Sequence, residues 1–101
     1  MMLTVIETLL GANTLNESQA VPLPKVTLYS KAGCHLCDEA RDMLDEIATQ
    51  VPYDLTEIDI RKDPQIFELY RYRIPVILLN ETVIAEGRID YNSLANAFDA
   101  S

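Results

Sequence analysis

The alternation of strand and helix patterns after Lys25 constrains the fold more than any other feature of this sequence. The stretch KVTLYS at 25–30 alternates polar and apolar side chains and is rich in β-formers, which is typical of a strand. Apolar residues then recur every three or four positions up to Val51, which predicts an amphipathic helix of about four turns ending near Pro52. The stretch YDLTEIDI at 53–60 is typical of a second strand. Since a helix connects the two strands, they should pair in parallel, and the crossover should be right-handed.

The second half of the chain predicts another helix, a hairpin and a final helix. Asp63-Pro64 is a typical helix opening, an N-cap followed by proline at the first helical position. The run Ile74–Leu79 is continuously apolar, as in a central strand covered on both faces, and Asn80-Glu81 offers a tight turn into TVIAE at 82–86. Asp90 can cap the last helix. The chain is therefore α/β, with the element order βαβαββα and a four-stranded mixed sheet that has helices on both faces.

The length of 101 residues fits one domain, but residues 1–24 differ from the rest. They combine an apolar start with a polar, turn-prone stretch and two prolines. We expect a separate N-terminal extension that is either flexible or a short helix, followed by a folded domain at 25–101.

Composition and charge narrow the partners and the compartment. No apolar run is long enough to span a bilayer, and the first residues lack the basic segment of a secretory signal. The net charge of −8 argues against nucleic acid and anionic membranes, because binding to either needs clustered Lys and Arg. We therefore expect a cytoplasmic monomer.

The two cysteines, Cys34 and Cys37, both lie at the predicted junction between the first strand and the first helix. A C-x-x-C pair beside a βαβ pattern is typical of a thiol–disulfide site. The unpaired amides and the positive dipole end of the helix would stabilise a thiolate at Cys34, lowering its pKa from about 8.5 into the range of roughly 3.5–7.5. Cys37, one turn into the helix on its apolar side, should be more buried and act as the resolving thiol.

Charged neighbours should moderate this effect. Lys31 and His35 would add positive charge near Cys34, whereas Asp38 and Glu39 would oppose a thiolate. We therefore expect the pKa of Cys34 to be lowered without reaching the low extreme.

Other uses of the cysteine pair remain open at this point. Structural zinc usually takes four ligands, and this chain has one pair and one histidine, so a metal site would have to be shared between two subunits. Attachment of haem through C-x-x-C-H is excluded, because Asp38 occupies the histidine position. Two buried, inert cysteines at helical spacing are the third alternative. We expect no metal in the site and no tightly bound cofactor.

The stretch YSKAGCHLC at 29–37 after a strand, followed some forty residues later by Arg73-Ile74-Pro75-Val76, resembles the glutaredoxin-like branch of the thioredoxin fold. The stretch Gly87-Arg88-Ile89-Asp90 before the final helix adds to this resemblance, which covers residues 25–101.

The resemblance implies roles for individual residues. Cys34 would be the nucleophile and Cys37 the resolver, and Pro75 a cis-proline facing them. Ile74 would offer backbone hydrogen bonds to an extended thiol substrate. Without the resemblance, Pro75 could equally be an ordinary trans proline that opens a strand.

The same resemblance implies glutathione as co-substrate. Lys31 would hold its glycyl carboxylate, with a solvated loop lysine as the alternative. His35 would belong to the substrate-binding surface. Asp90 would hold the γ-glutamyl amino group, with a helix cap as the alternative.

Two departures from the glutaredoxin pattern bear on this expectation. His35-Leu36 stands where glutaredoxins commonly carry Pro-Tyr between the cysteines. Arg88 stands where the family keeps a bare glycine backbone, and it would either crowd glutathione or contact its carboxylate.

The resulting prediction is a dithiol glutaredoxin-like thiol–disulfide oxidoreductase that reduces protein disulfides or glutathione mixed disulfides. The alternatives are a thioredoxin-fold binding or regulatory module with little turnover, and a metal- or cluster-bridged dimer.

Overall fold

The computed structural model describes residues 22–100. The predicted N-terminal extension lies outside the described residues, apart from its last three positions. The described elements, numbered here in chain order, are β1 (Lys25–Ser30), α1 (His35–Ala48), β2 (Asp54–Asp59), a short 3₁₀ turn (Ile60–Lys62), α2 (Pro64–Tyr70), β3 (Val76–Leu79), β4 (Thr82–Glu86) and α3 (Tyr91–Ala100).

The four strands form one mixed sheet in the order β2-β1-β3-β4, which confirms the predicted fold class. Strand β1 pairs in parallel with β2 and antiparallel with β3, and β3 pairs antiparallel with β4. The register places Ser30 opposite Asp59, Tyr29 opposite Val76, and Val76 opposite Glu86. The end of β1, the end of β2, the start of β3 and the end of β4 therefore meet at one edge of the sheet, which we call the cysteine end.

Helices cover both faces of the sheet, as predicted. One core cluster joins the sheet to α1 and α3, and its largest fully buried side chains are Leu28, Leu44, Ile77 and Leu94. The other cluster joins the opposite face to the 3₁₀ turn and α2 through Ile60, Tyr70 and Val76. Within residues 22–100 no helix has both the length and the apolarity needed to cross a membrane.

Helix α1 follows directly from its sequence pattern. Its buried residues recur every three or four positions, at Cys37, Ala40, Leu44 and Ile47. That spacing places them on one stripe of the helix against the sheet.

The N-cap predicted for α2 is also present in the structure. Asp63 caps α2 by accepting hydrogen bonds from the N–H groups of Gln65 (2.9 Å) and Ile66 (3.4 Å), and Pro64 occupies the first turn. The predicted second strand extended to Ile60, whereas β2 ends at Asp59. The reason is that the Asp59 side chain accepts the N–H of Arg61 at 2.9 Å and starts the 3₁₀ turn.

The predicted turn between β3 and β4 forms without glycine. Asn80 and Glu81 have φ values of 49° and 73°, in the left-handed region that two-residue hairpin turns require. Asn80 is also anchored to the neighbouring strand, because its side-chain oxygen accepts the N–H of Lys25 at 3.0 Å.

The core assignment predicts a contrast between two leucines. Leu44→Ala should lower the free energy of unfolding by about 2–5 kcal/mol, because Leu44 is 0% exposed and the substitution leaves a cavity. Leu69→Ala, at a position 54% exposed, should change it by less than about 0.5 kcal/mol. Urea denaturation followed by circular dichroism measures both, and similar losses at the two positions would contradict the core as described.

Candidate active site

The two cysteines lie at the N-terminus of α1. Cys34 is the N-cap residue, and its Sγ accepts a hydrogen bond from the backbone N–H of Cys37 at 3.1 Å. The two residues are joined by a disulfide, with Cα atoms 5.2 Å apart. A helix leaves its first N–H groups without partners inside the helix. The sulfur of Cys34 accepts a hydrogen bond from one of these N–H groups.

The two cysteines differ in solvent access. Cys37 is 0% exposed, whereas Cys34 is only partly buried. The prediction that Cys37 is the more buried of the pair is therefore confirmed. A reagent from solvent can approach the Cys34 side of the disulfide, while Cys37 is covered by the core.

A short turn delivers the chain from β1 to the helix. Gly33 has φ of +80°, a left-handed conformation that side chains disfavour. The glycine lets the chain reverse within three residues of Ser30. Cys34, the candidate nucleophile, therefore lies at the N-terminus of α1 instead of continuing β1.

The charges on the first turns of α1 are paired. Glu39 contacts His35 at 2.9 Å, and the Asp38 carboxylate accepts a hydrogen bond from Arg41 at 2.8 Å. We expected Asp38 and Glu39 to oppose a thiolate at Cys34. Each carboxylate instead has a basic partner, three or four residues away on the same helix.

A polar network that the sequence did not reveal lies beneath this turn. Arg41 donates through Nε to Glu57 Oε1 at 3.0 Å and through Nη2 to Glu57 Oε2. Ser30, only 3% exposed, donates its hydroxyl to Glu57 Oε2 at 2.7 Å. The hydrogen bonds from Arg41, and then from Ser30, lower the pKa of Glu57 despite its partial burial. The network ties the end of β1 to β2 and α1.

One signal of this network was present in the sequence. Ser30 continues the alternation of Val26 and Leu28, which predicts that its polar side chain points to the buried face. A buried hydroxyl needs a partner. The identity of that partner depends on strand pairing, which the sequence does not give.

A cleft of about 370 Å³ opens beside the cysteine loop. This volume is within the range of about 300–1,000 Å³ that ligand sites usually occupy. Its lining brings Lys31 together with Lys62, which the sequence analysis did not single out. The remaining lining residues are Ser30, Ala32, Asp38, Arg41, Glu57 and Asp59.

The charges in this cleft are unevenly partnered. Arg61, with Lys62 contributing, lowers the pKa of Asp59 to about 2. Arg41 donates hydrogen bonds to Asp38 and Glu57. Within residues 22–100, Lys31 makes no ion pair, although the carboxylates that pair with arginines also line the cleft.

Ile74 and Pro75 lie at the cysteine end, because Val76 pairs with Tyr29. The Ile74–Pro75 peptide bond is cis, and Pro75 is fully buried. The N–H of Ile74 donates to the Tyr70 carbonyl at 3.1 Å, so the backbone group left for a ligand at this residue is its carbonyl.

The loop before β3 is fastened to the end of β4. The N–H of Gly87 donates to the carbonyls of Pro75 (2.8 Å) and Arg73 (3.1 Å). The side chain of Arg73 donates to both carboxylate oxygens of Glu86, at 2.8 and 2.9 Å. Residues 73–75 and 86–87 are therefore joined by hydrogen bonds into one margin of the site.

Asp90 has a structural task. Its Oδ2 accepts the N–H of Ser93 at 3.0 Å and the hydroxyl of the same residue at 3.1 Å, which caps α3. Asp90 and Arg88 line a depression beside β4 and α3, separate from the cleft that holds Lys31. Among the described residues, no group of three or more His, Cys, Asp or Glu lies close enough together to hold a metal ion.

Comparisons with known proteins identify the family and the fold of the chain. A family model described as Glutaredoxin-like domain (DUF836) matches residues 25–99. The uncharacterized protein Rv0508 of Mycobacterium tuberculosis is 26% identical over 76 residues, which cover 70% of this chain and 78% of that protein.

Solved structures share the fold. The protein XcR50 of X. campestris superposes with a TM-score of 0.66 at 26% identity, over 75% of this chain and 97% of that one. The protein Ne2328 of Nitrosomonas europaea gives 0.66 at 24% identity, over 76% and 93%. A thioredoxin variant from Halobacterium salinarum gives 0.58 at 17% identity, over 89% and 84%.

The Glu57 network predicts how stability depends on pH. The pKa of Glu57 is lowered from 4.5 in the folded chain, so its contribution is complete above that value and is lost as the pH falls through the folded value. Glu57→Gln should therefore melt below the wild-type temperature at about pH 7, and the gap should narrow by about pH 3. Glu81→Gln, in the exposed hairpin turn, is the control. A Glu57→Gln gap that stays constant over this range would contradict the prediction.

Proposed function

The chain belongs to the glutaredoxin-like domain family (DUF836), and from that membership we propose that it is a dithiol thiol–disulfide oxidoreductase. The observation that supports this most directly is the hydrogen bond from the Cys37 N–H to Cys34 Sγ at the start of α1. A helix N-terminus stabilises negative charge, so the same position favours a thiolate when the disulfide is reduced.

The proposed reaction starts from the reduced pair. The Cys34 thiolate attacks one sulfur of a substrate disulfide, forms a mixed disulfide and expels the other sulfur as a thiolate, which takes a proton from solvent. Cys37 then loses its proton to solvent and attacks Cys34 Sγ. The substrate's second sulfur departs as a thiolate, and the Cys34–Cys37 disulfide forms. Two electrons have passed from the protein to the substrate.

Two molecules of a thiol such as glutathione would return the pair to the reduced state. Each thiol supplies one electron, and together they leave as a disulfide. The proposal places this cycle in a reducing compartment such as the cytoplasm, where a protein disulfide is transient.

The cleft beside the cysteine loop supports an anionic thiol such as glutathione as a substrate. Lys31 and Lys62 both line it, and its carboxylates are paired with Arg41 and Arg61. A substrate carboxylate that reached either lysine would gain a charge-assisted hydrogen bond. On the other margin, the Ile74 carbonyl could accept an N–H from an extended substrate backbone. Asp90 would remain a candidate for the substrate's amino group only if it gave up part of its capping role.

The two cysteine substitutions should have unequal effects. Cys34→Ser should lower the rate of disulfide reduction at least about 100-fold, because the nucleophile is lost. Cys37→Ser should still attack, and it should accumulate a mixed disulfide with the substrate that mass spectrometry detects. Equal loss of the first step in both variants would contradict the assigned roles, and a wild-type chain without turnover would favour the binding module.

The two lysines should act on binding. With a glutathione mixed disulfide as substrate, Lys31→Ala and Lys62→Ala should each raise KM by about threefold to tenfold, because each removes a charge-assisted contact. The value of kcat should change little. Lys25→Ala, at the opposite end of β1, is the matched control and should behave as wild type. Unchanged KM in both cleft variants would remove glutathione from the proposal.

A further inference from the structure

The network of Arg41, Asp38, Glu57 and Ser30 has no part in the steps above, yet it holds both ends of the cysteine loop. Ser30 is the last residue of β1, directly before the loop, and Asp38 lies in the first turn after it. Glu57 accepts a hydrogen bond from Ser30, and Arg41 donates one to Asp38. Arg41 and Glu57 are also hydrogen-bonded to each other. The loop is thus bracketed by one continuous set of hydrogen bonds.

Asp38 is the member of this network with the most direct bearing on the nucleophile. Its backbone N–H donates to the Cys34 carbonyl at 3.1 Å, so it stands one helical turn from the cysteine. An unpaired carboxylate there would repel a thiolate. The carboxylate is 68% exposed and could rotate freely, but Arg41 binds it at 2.8 Å.

Arg41 is itself fixed in place. Its Nε and Nη2 are occupied by Glu57, and its Nη1 is directed at Asp38. A planar guanidinium held on two edges in this way keeps its charge at a defined position, which a flexible lysine would not do. Glu57 in turn is held by the buried hydroxyl of Ser30.

We propose that Arg41 is a positioning residue that neutralises Asp38 and thereby preserves the anion-stabilising character of the α1 N-terminus around Cys34. This inference rests on the proposed function and names a residue that tunes its nucleophile. Glu57 and Ser30 act through Arg41, by fixing the direction of the guanidinium.

Other charged groups also lie at the cysteine end. They are His35 and Glu39 on α1, Lys31 on the loop, Asp59 at the end of β2, Arg61 and Lys62 in the 3₁₀ turn, Arg73 before β3, Glu86 at the end of β4 and Arg88 after it. All of them are unchanged in the variants below. A difference between those variants therefore belongs to Arg41 and Asp38.

A double-mutant cycle with Arg41→Gln and Asp38→Asn tests the proposal. The readout is the pH at which iodoacetamide alkylation of Cys34 in the reduced full-length chain reaches half its maximal rate. Arg41→Gln should raise this midpoint by about 0.5 to 1 on the pH scale, the size expected for an uncompensated charge at a partly solvated site. Asp38→Asn alone should move it by less and in the opposite direction, because Arg41, which also pairs with Glu57, offsets only part of that charge. The double variant should return close to wild type.

A second measurement separates tuning from mere loss of structure. Above the midpoint, the equilibrium constant for reduction of the Cys34–Cys37 disulfide by glutathione should fall about threefold to tenfold in Arg41→Gln, or about 15–30 mV toward a more reducing couple. Arg71→Gln is the matched control, since Arg71 also pairs with a carboxylate three residues earlier, Glu68, but on the opposite face of the sheet. It should change neither readout.

Each outcome decides one claim. A wild-type midpoint at the value of an ordinary thiol would overturn the proposed function. A lowered wild-type midpoint that Arg41→Gln leaves unchanged would overturn only the role of Arg41. A raised midpoint in Arg41→Gln that persists when Asp38→Asn is added would show that Arg41 does not act through Asp38, and would also overturn the proposal.

Discussion

The contact between the first turn of α1 and the sulfur of Cys34 is the interaction on which the proposed chemistry of this protein depends. The Cys37 N–H points at that sulfur from 3.1 Å, while the Cys37 side chain is 0% exposed. In the proposed mechanism, Cys37 therefore supplies both the N–H that stabilises the Cys34 sulfur and the thiol that displaces the substrate from it. The turn through Gly33 between β1 and α1 makes this arrangement possible, because it places Cys34 at the N-terminus of α1.

The mixed sheet gathers the rest of the site at the same edge. Parallel pairing of β1 and β2 brings the 3₁₀ turn with Lys62 beside the cysteine loop, and antiparallel pairing of β1 and β3 brings Ile74 and Pro75 to its other side. These segments are distant in sequence and adjacent in space. The strand order therefore determines the site. Charged side chains, including Lys62, lie on one side of the cysteine loop, and the backbone of Ile74 and Pro75 lies on the other.

Local patterns were sufficient to predict most of the fold. The alternation in β1, the three- and four-residue spacing in α1 and the Asp63-Pro64 cap each depend on neighbouring residues alone, and the structure agrees with them. The helical spacing of His35 to Glu39 and of Asp38 to Arg41 was also visible, and it would have indicated that these carboxylates are paired. The contacts of Ser30 and Arg41 with Glu57 were not predictable, because they depend on the register of two strands and the rotation of a helix over them. The same is true of Lys62, whose place in the cleft depends on the 3₁₀ turn.

The central claim is that the fold holds Cys34 as a reactive anion, and its most direct test is the pH dependence of alkylation in the reduced wild-type chain. Mass spectrometry after limited iodoacetamide treatment distinguishes Cys34 from Cys37. The account predicts that Cys34 is modified first, with a midpoint well below the value of about 8.5 for a free thiol. A midpoint at or above that value, or faster modification of Cys37, would contradict it.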